Sequence, residues 1–263
     1  MLFSSGLAAA SGDAGAVFAL SNSPNGNAVL IWNRAADGTL TAAGSIPTGG
    51  TGTGAGLGSQ GALALSANHQ WLFAVNAGSD SISAFRVRPA GLDFAGQVAS
   101  GGTRPTSVTV HDDLLYVLNA GGAGNIVGFR GAGDGKLRQI AGSARPLSGN
   151  ATAPAQVQFS PDGDLLAVTE RNTQTIDTYR VGEHGLASGP IVNHSAGAVP
   201  FGFAFDKRGH LVVSEAGGGA NGLSAASSYA VAENGALRVV SASAATNQGA
   251  ACWVVITGNG RYA

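Results

Sequence analysis

The sequence predicts an all-β fold in which four-stranded antiparallel sheets repeat as the blades of a propeller, and three observations predict it. A turn signal recurs at steps of 45, 49, 46 and 51 residues, at Ser66, His111, Ser160, Asp206 and Thr257. Four short runs of β-forming residues fall within each step, which is the period of a propeller blade. The second run of each step is apolar on both faces, so other sheets must cover it from both sides.

The clearest copy of the repeat is 156–181. Val157 to Phe159 forms a first strand, and Ser160-Pro161-Asp162-Gly163 carries the residues of a tight turn, with proline presetting φ and glycine accepting a positive one. Leu165 to Val168 is the covered second strand, and Thr175 to Val181 alternates as a more exposed third strand does. The siblings follow in order. First strands are expected at 62–65, 107–110, 202–205 and 253–256, and second strands at 72–75, 114–118 and 211–213. Third strands are expected at 82–87, 126–130 and 227–231, and fourth strands at 92–98, 136–140, 186–192 and 237–240. The runs at 17–20, 28–32 and 40–46 match second, third and fourth strands with no first.

These runs amount to about five blades' worth of strands. A seven-bladed ring needs roughly twenty-eight strands, so the expectation is a propeller of the seven-bladed type truncated at its C-terminus, from a chain of roughly 350 residues. Residues 16–263 are expected to form one propeller domain. Residues 1–15 are expected to be a disordered N-terminus or the remnant of a signal peptide, since Ala8-Ala9-Ala10 resembles the small-residue end of one. That remnant favours a secreted or periplasmic location.

Composition excludes several classes of function. Charged residues are 11% of the 263 and the formal net charge is −1, which leaves no electrostatic footprint for nucleic acid or a membrane surface. Cys252 is the only cysteine, so an intrachain disulfide and a thiolate metal cluster are both ruled out, and it reads as a small buried side chain. No His/Asp/Glu spacing specifies a metal and no cofactor motif is present; the glycine-rich run 49–58 lacks the Lys-Ser/Thr and the helix of a phosphate cradle.

Topology sorts the polar residues. Loops joining second to third strands, and fourth strands to the next first strand, share the rim where a propeller's channel opens. His69, His111 and His210 fall in first-to-second turns and His184 in a third-to-fourth turn, so they belong to the opposite rim. His194 is the histidine on the binding rim. With it come Arg104, Arg145, Arg171, Glu170, Glu215, Asp80, Asn76 and Asn119, a mixture that suits an anionic substrate and a proton transfer.

The runs Leu72-Phe73-Ala74-Val75-Asn76-Ala77-Gly78 and Leu115-Tyr116-Val117-Leu118-Asn119-Ala120-Gly121, with the Ser160-Pro161-Asp162-Gly163 turn, resemble the YVTN-type repeats of the lactonase family. That family comprises seven-bladed propellers such as the 6-phosphogluconolactonase-like and carboxy-muconate-lactonizing proteins. The resemblance covers about 16–263 and implies hydrolysis or closure of a lactone ring on a small acidic substrate, by acid/base chemistry without a metal. Ser214-Glu215 is similar to the family's Asn-Glu pair at the end of a second strand. Catalytic roles are therefore expected for Glu215, Glu170 and His194, and substrate binding for Arg104, Arg145, Arg171, Gln156 and Asn119. Where family members carry Pro-Arg-His, this chain has Pro200-Phe201-Gly202, and where another blade carries a histidine it has Pro154-Ala155-Gln156. These replacements motivate the alternative: a non-catalytic secreted or periplasmic propeller that binds a ligand or a protein.

Overall fold

The computed structural model describes residues 15–89, 91–219 and 221–263. The expectation for the N-terminus thus lies, but for Gly15, outside the described residues. Twenty strands are ordered into five antiparallel sheets, hereafter blades 1 to 5. Blade 1 is β1 (Ala16–Leu20), β2 (Ala28–Arg34) and β3 (Leu40–Pro47), and blade 2 is β4 (Leu63–Leu65), β5 (Trp71–Asn76), β6 (Ser81–Arg88) and β7 (Gly91–Ala99). Blade 3 is β8 (Pro105–His111), β9 (Leu114–Asn119), β10 (Asn125–Arg130), β11 (Arg138–Gln139) and β12 (Arg145–Pro146). Blade 4 is β13 (Pro154–Phe159), β14 (Leu165–Glu170), β15 (Thr175–Val181) and β16 (Ala187–His194), and blade 5 is β17 (Pro200–Phe205), β18 (Leu211–Glu215), β19 (Ala225–Val231) and β20 (Leu237–Ala245). Among the described residues no helix is long and apolar enough to cross a membrane.

The core lies between consecutive sheets, which is why the second strands are apolar on both faces. On β5, Leu72 and Ala74 pack on Val29 and Ile31 of blade 1, while Trp71, Phe73 and Val75 join Leu115 and Val117 of blade 3. On β9 the alternate residues Tyr116 and Leu118 turn the other way, to Val157, Leu166 and Val168 of blade 4. Ala167 and Ile176 then meet Phe203, Val213 and Tyr229 of blade 5. Period-two alternation thus feeds two seams from one strand.

First strands are also stitched to one another by polar groups. The amides of Val157 and Phe159 donate to the hydroxyls of Ser107 and Thr109 at 3.1 and 3.2 Å, and the Val108 amide donates to the Gly61 carbonyl at 2.8 Å. Beyond the first strands of blades 2, 4 and 5, and again at Thr257, a turn clasp recurs: the amides of Ser66, Ser160, Asp206 and Thr257 donate to the carbonyls of Trp71, Leu165, His210 and Tyr262 at 2.8 to 2.9 Å.

Two elements differ from expectation. The fourth strand of blade 3, expected at 136–140, is split into β11 and β12. Between them the Ser143 hydroxyl bonds both the amide and the carbonyl of Gly128 at 3.1 Å, so a side chain replaces the ladder where the chain turns out at Gly142 (φ 69°). Residues 253–256 form no strand, because their backbone bonds go elsewhere: the Cys252 carbonyl accepts from the Gly202 amide at 2.8 Å, and Val254 exchanges two bonds with the Gln60 side chain at 3.2 and 3.3 Å. The turn clasp at Thr257 keeps the repeat in phase all the same.

Candidate functional site at the channel mouth

The rim on which the first strands begin gathers the residues nominated by the sequence, and their side chains divide into two groups. The first group ends the second strands. Asn76, Asn119, Glu170 and Glu215 occupy one structural position in blades 2 to 5, and all are buried, at 0, 1, 0 and 1% exposure. Their polar atoms are turned into the blade seams. Asn76 accepts from the Thr48 hydroxyl at 2.6 Å and donates to Ser81 and Ser83; Asn119 donates to the Ser100 carbonyl and to Asn125 at 3.3 and 2.8 Å.

Glu170 accepts from the Ser148 amide at 3.0 Å, from the Ser148 hydroxyl, and from the hydroxyls of Thr173 and Thr175 at 2.6 and 2.9 Å. Burial works to raise its pKa, but hydrogen bonds from Asp177, Ser148 and Thr173 outweigh it and hold the carboxyl below its ordinary value. Glu215 accepts from the Ser227 hydroxyl and from that of Ser243 at 2.8 Å. The backbone of Gly197 lies so close that a Cβ there would stand 1.9 Å from the Glu215 carboxylate. These hydrogen bonds tie each second strand to the third strand of its own blade and, for Asn76, Asn119 and Glu170, to the segment after the fourth strand of the preceding blade, whereas Glu215 bonds the fourth strand of its own.

The second group faces the mouth. Arg104 sits exposed at a positive φ of 52°, its amide donating to Asp80 at 2.7 Å and its guanidinium reaching only the Ala120 carbonyl at 3.4 Å. Asp80, at φ 50°, thereby orients the Arg104 loop. Arg171 is half-buried: Nε donates to the Ala153 carbonyl at 3.0 Å, the guanidinium stacks 5.1 Å from the centre of the Phe201 ring, and Gly58 lies against it. Burial, and behind it the positive charge of Arg104, lowers its pKa, with Cys252 acting in the opposite sense. Cys252 is half-buried beside Val199 and Phe201. Among the described residues neither arginine has a carboxylate partner.

Three other nominated residues stand apart from this pair. The Arg145 guanidinium donates to the carbonyls of Ala187, Gly142 and Ala144 at 2.5, 2.7 and 2.7 Å, clamping blade 3 to blade 4. Gln156 is buried and pairs both ends of its amide with Phe203, accepting from its amide at 2.7 Å and donating to its carbonyl at 3.0 Å. A histidine ring cannot match that two-point pairing, and Gln156 staples blade 4 to blade 5. His194 ends the outermost strand of blade 4, exposed, in register with Thr175 and through it with Glu170.

Sequence reasoning missed Asp177 and Tyr179, which sit beside Glu170, and Gln60, whose side chain reaches Val254 across the mouth. Register supplies the missing signal, since Asp177 stands two residues beyond the cross-strand partner of Glu170. Among the described residues no cluster of three His, Cys, Asp or Glu side chains is arranged to hold a metal.

A cavity of about 280 Å³ lies between the first strands of blades 2, 3 and 4, walled by Gln60, Val108, Thr109, Gln156 and Gln158. A larger cleft of about 800 Å³ opens between blades 1 and 2 by Phe18, Ile31, Leu65 and Val87. The arginine that lines it, Arg88, is paired with Asp93 at 2.6 Å, so the convergent unpaired charge is on the rim rather than in this cleft.

Fold and rim together define a propeller protein with two neighbouring arginines, Arg104 and Arg171, on one rim. The chain belongs to the lactonase family of seven-bladed β-propellers, whose model matches residues 25–145 and 123–256. A putative 6-phosphogluconolactonase from Bacteroides uniformis is similar in structure, with a TM-score of 0.72 at 17% identity over 94% of this chain and 73% of that one. A periplasmic gluconolactonase from Pseudomonas aeruginosa is similar with a TM-score of 0.66 at 19% identity, over 91% and 69% of the two chains. A putative 6-phosphogluconolactonase from Bacteroides fragilis is similar with a TM-score of 0.64 at 18% identity, over 83% and 66%. At these identities the likeness is one of fold. A search of curated proteins finds no match.

Proposed function

We propose that this lactonase-family propeller binds a small acidic lactone, or the hydroxy acid it opens to, at the channel mouth, with Arg104 and Arg171 neutralising the ligand's carboxylate or phosphate. The observation that carries this reading is the pair of guanidiniums on one rim, near enough for one charge to shift the other, and without a carboxylate partner among the described residues. Charge-assisted, bidentate contacts from arginine suit such anions. The similar proteins named for gluconolactone chemistry point to the same class of ligand. Arg145 and Gln156 support the site by holding the blades.

Ring opening needs a group to take a proton from water and return it to the ring oxygen. Of Glu215, Glu170 and His194, only His194 has an exposed side chain, and an enzymatic reading assigns it that role for a ligand that reaches from the arginine pair to the end of the outermost strand of blade 4. A second reading, binding without turnover, is favoured by one observation: both glutamates are buried and saturated by hydroxyl donors. Calorimetric titration with 6-phosphogluconate, alongside proton-release assays on a panel of sugar lactones and muconolactones, separates the readings. Saturable binding that weakens at least tenfold in the Arg104→Ala/Arg171→Ala double variant supports the mouth site, and turnover lost in His194→Ala supports the enzyme. Absence of binding by every panel member overturns the proposal.

A further inference from the structure

The anchor at the end of each second strand has comparable partners from blade to blade, because register fixes which third-strand residues share its face. In blade 2, Asn76 lies opposite Ser81 with Ser83 two residues further on, and its amide donates to the two hydroxyls at 3.2 and 2.8 Å. In blade 5, Glu215 lies opposite Ala225 with Ser227 two residues further on, and the Ser227 hydroxyl donates to the carboxylate. In blade 4 the same three places hold Glu170, Thr175 and Asp177. Thr175 donates to Glu170 as a hydroxyl should, at 2.9 Å. Asp177 stands where blades 2 and 5 have a serine and blade 3, whose anchor Asn119 lies opposite Asn125, has Val127.

An ionised carboxylate accepts hydrogen bonds and donates none, so Asp177 can do the serine's work only as a neutral acid. The surroundings demand the same. Asp177 is fully buried, its Oδ1 has no partner once the acid proton is left out of account, and what favours its charged form is the Ser148 amide and the Tyr179 hydroxyl, the latter 3.5 Å from Oδ2. From β14 the facing charged group is Glu170; from its own strand it is Tyr179, whose hydroxyl donates to the Pro146 carbonyl at 2.8 Å. The segment after β12 brings the amide and hydroxyl of Ser148, while Arg145 is turned to backbone carbonyls. β16 places Val192 beside Asp177, and the nearest titratable group on that strand, His194, is exposed. Among the described residues no cation forms an ion pair with either carboxyl group. Two adjacent buried carboxylates without a cation are not both ionised.

We propose that Asp177 keeps a proton in the folded protein and donates a hydrogen bond through it to the Glu170 carboxylate, making the seam between blades 3 and 4 a joint that weakens as pH rises. The electrostatics agree: burial first, and the neighbouring Glu170 second, push Asp177 up to about 8 from 3.8. With the folded pKa raised, the folded state holds one more proton than the unfolded chain between those two values. The resulting stabilisation is complete below the unfolded pKa and is lost as pH rises to the folded one, by up to about tenfold in the folding equilibrium per pH unit. Above that, the Ser148 and Thr173 contacts to Glu170 compete with a second buried charge.

Two measurements test this. Denaturant unfolding from pH 5 to 9 is expected to show the wild-type folding equilibrium falling at least tenfold relative to Asp177→Ser, the variant that restores the siblings' hydroxyl. Infrared spectra at pH 7 are expected to show the carbonyl band of a protonated carboxylic acid, absent at pH 9.5 and absent from Asp177→Asn. Parallel stability profiles in wild type and Asp177→Ser overturn the proposal, and so does a wild-type spectrum without that band at pH 7. The second reading needs only the wild-type protein, so it decides the matter even when a variant fails to fold.

Discussion

Blades 2 and 4 hold the ends of their second strands at the same place with different chemistry. Asn76 is a neutral amide, both donor and acceptor, and it joins Thr48, Asn27, Ser81 and Ser83 without any change of protonation. Glu170 only accepts, so every group around it must donate: Ser148, Thr173, Thr175 and, by our inference, a protonated Asp177. The difference teaches that a carboxylate on the rim is not by that fact a catalytic carboxylate. In this protein the two rim glutamates are joints of the fold, and in the proposed function the charge presented to a ligand is the pair Arg104 and Arg171.

The comparison breaks most readily at Glu170. Replacement by alanine leaves three hydroxyls and an acid unsatisfied in a buried seam, and is expected to cost about 3 kcal/mol, read as a lower denaturant midpoint. A fall of less than roughly 1 kcal/mol contradicts the anchoring role. Gln156→Ala removes the two-point pairing with Phe203 at the next seam, and its expected cost is about 2 kcal/mol. Gln156→His should recover little of that loss if the pairing geometry is what matters. His194→Ala, on the exposed end of the outermost strand, is expected to leave stability within about 0.5 kcal/mol. A larger change would show that the histidine is part of the scaffold.

Much of the fold was legible because blade architecture depends on period and on two-sided burial, and both are written in runs such as 72–75 and 165–168. The split strand at β11 and β12 was not, since nothing in the run 136–140 announces that Ser143 will bond Gly128 in place of a ladder partner. Membership of the rim was also legible, as loop order decides it. The direction of the rim side chains was not. The first strands of blades 3, 4 and 5 begin with a register shift, between Pro105 and Ser107, Pro154 and Gln156, and Pro200 and Phe203. A shift of one residue turns a side chain from the channel to a seam, as it does for Gln156. Asp177 escaped notice for a related reason: its importance lies in what stands beside it across the sheet, which a linear pattern of alternating residues does not display.

The central claim is that the rim separates joints from ligand contacts, and it is tested most directly on Glu170→Ala and Arg104→Ala side by side, each scored for denaturant midpoint and for 6-phosphogluconate affinity. The account predicts opposite signatures: Glu170→Ala loses stability and, where folded, keeps affinity within about threefold, whereas Arg104→Ala keeps its midpoint and loses affinity about tenfold, the weight of one charge-assisted contact. An Arg104→Ala protein that binds as wild type does, or a Glu170→Ala protein of unchanged stability that no longer binds, would contradict it.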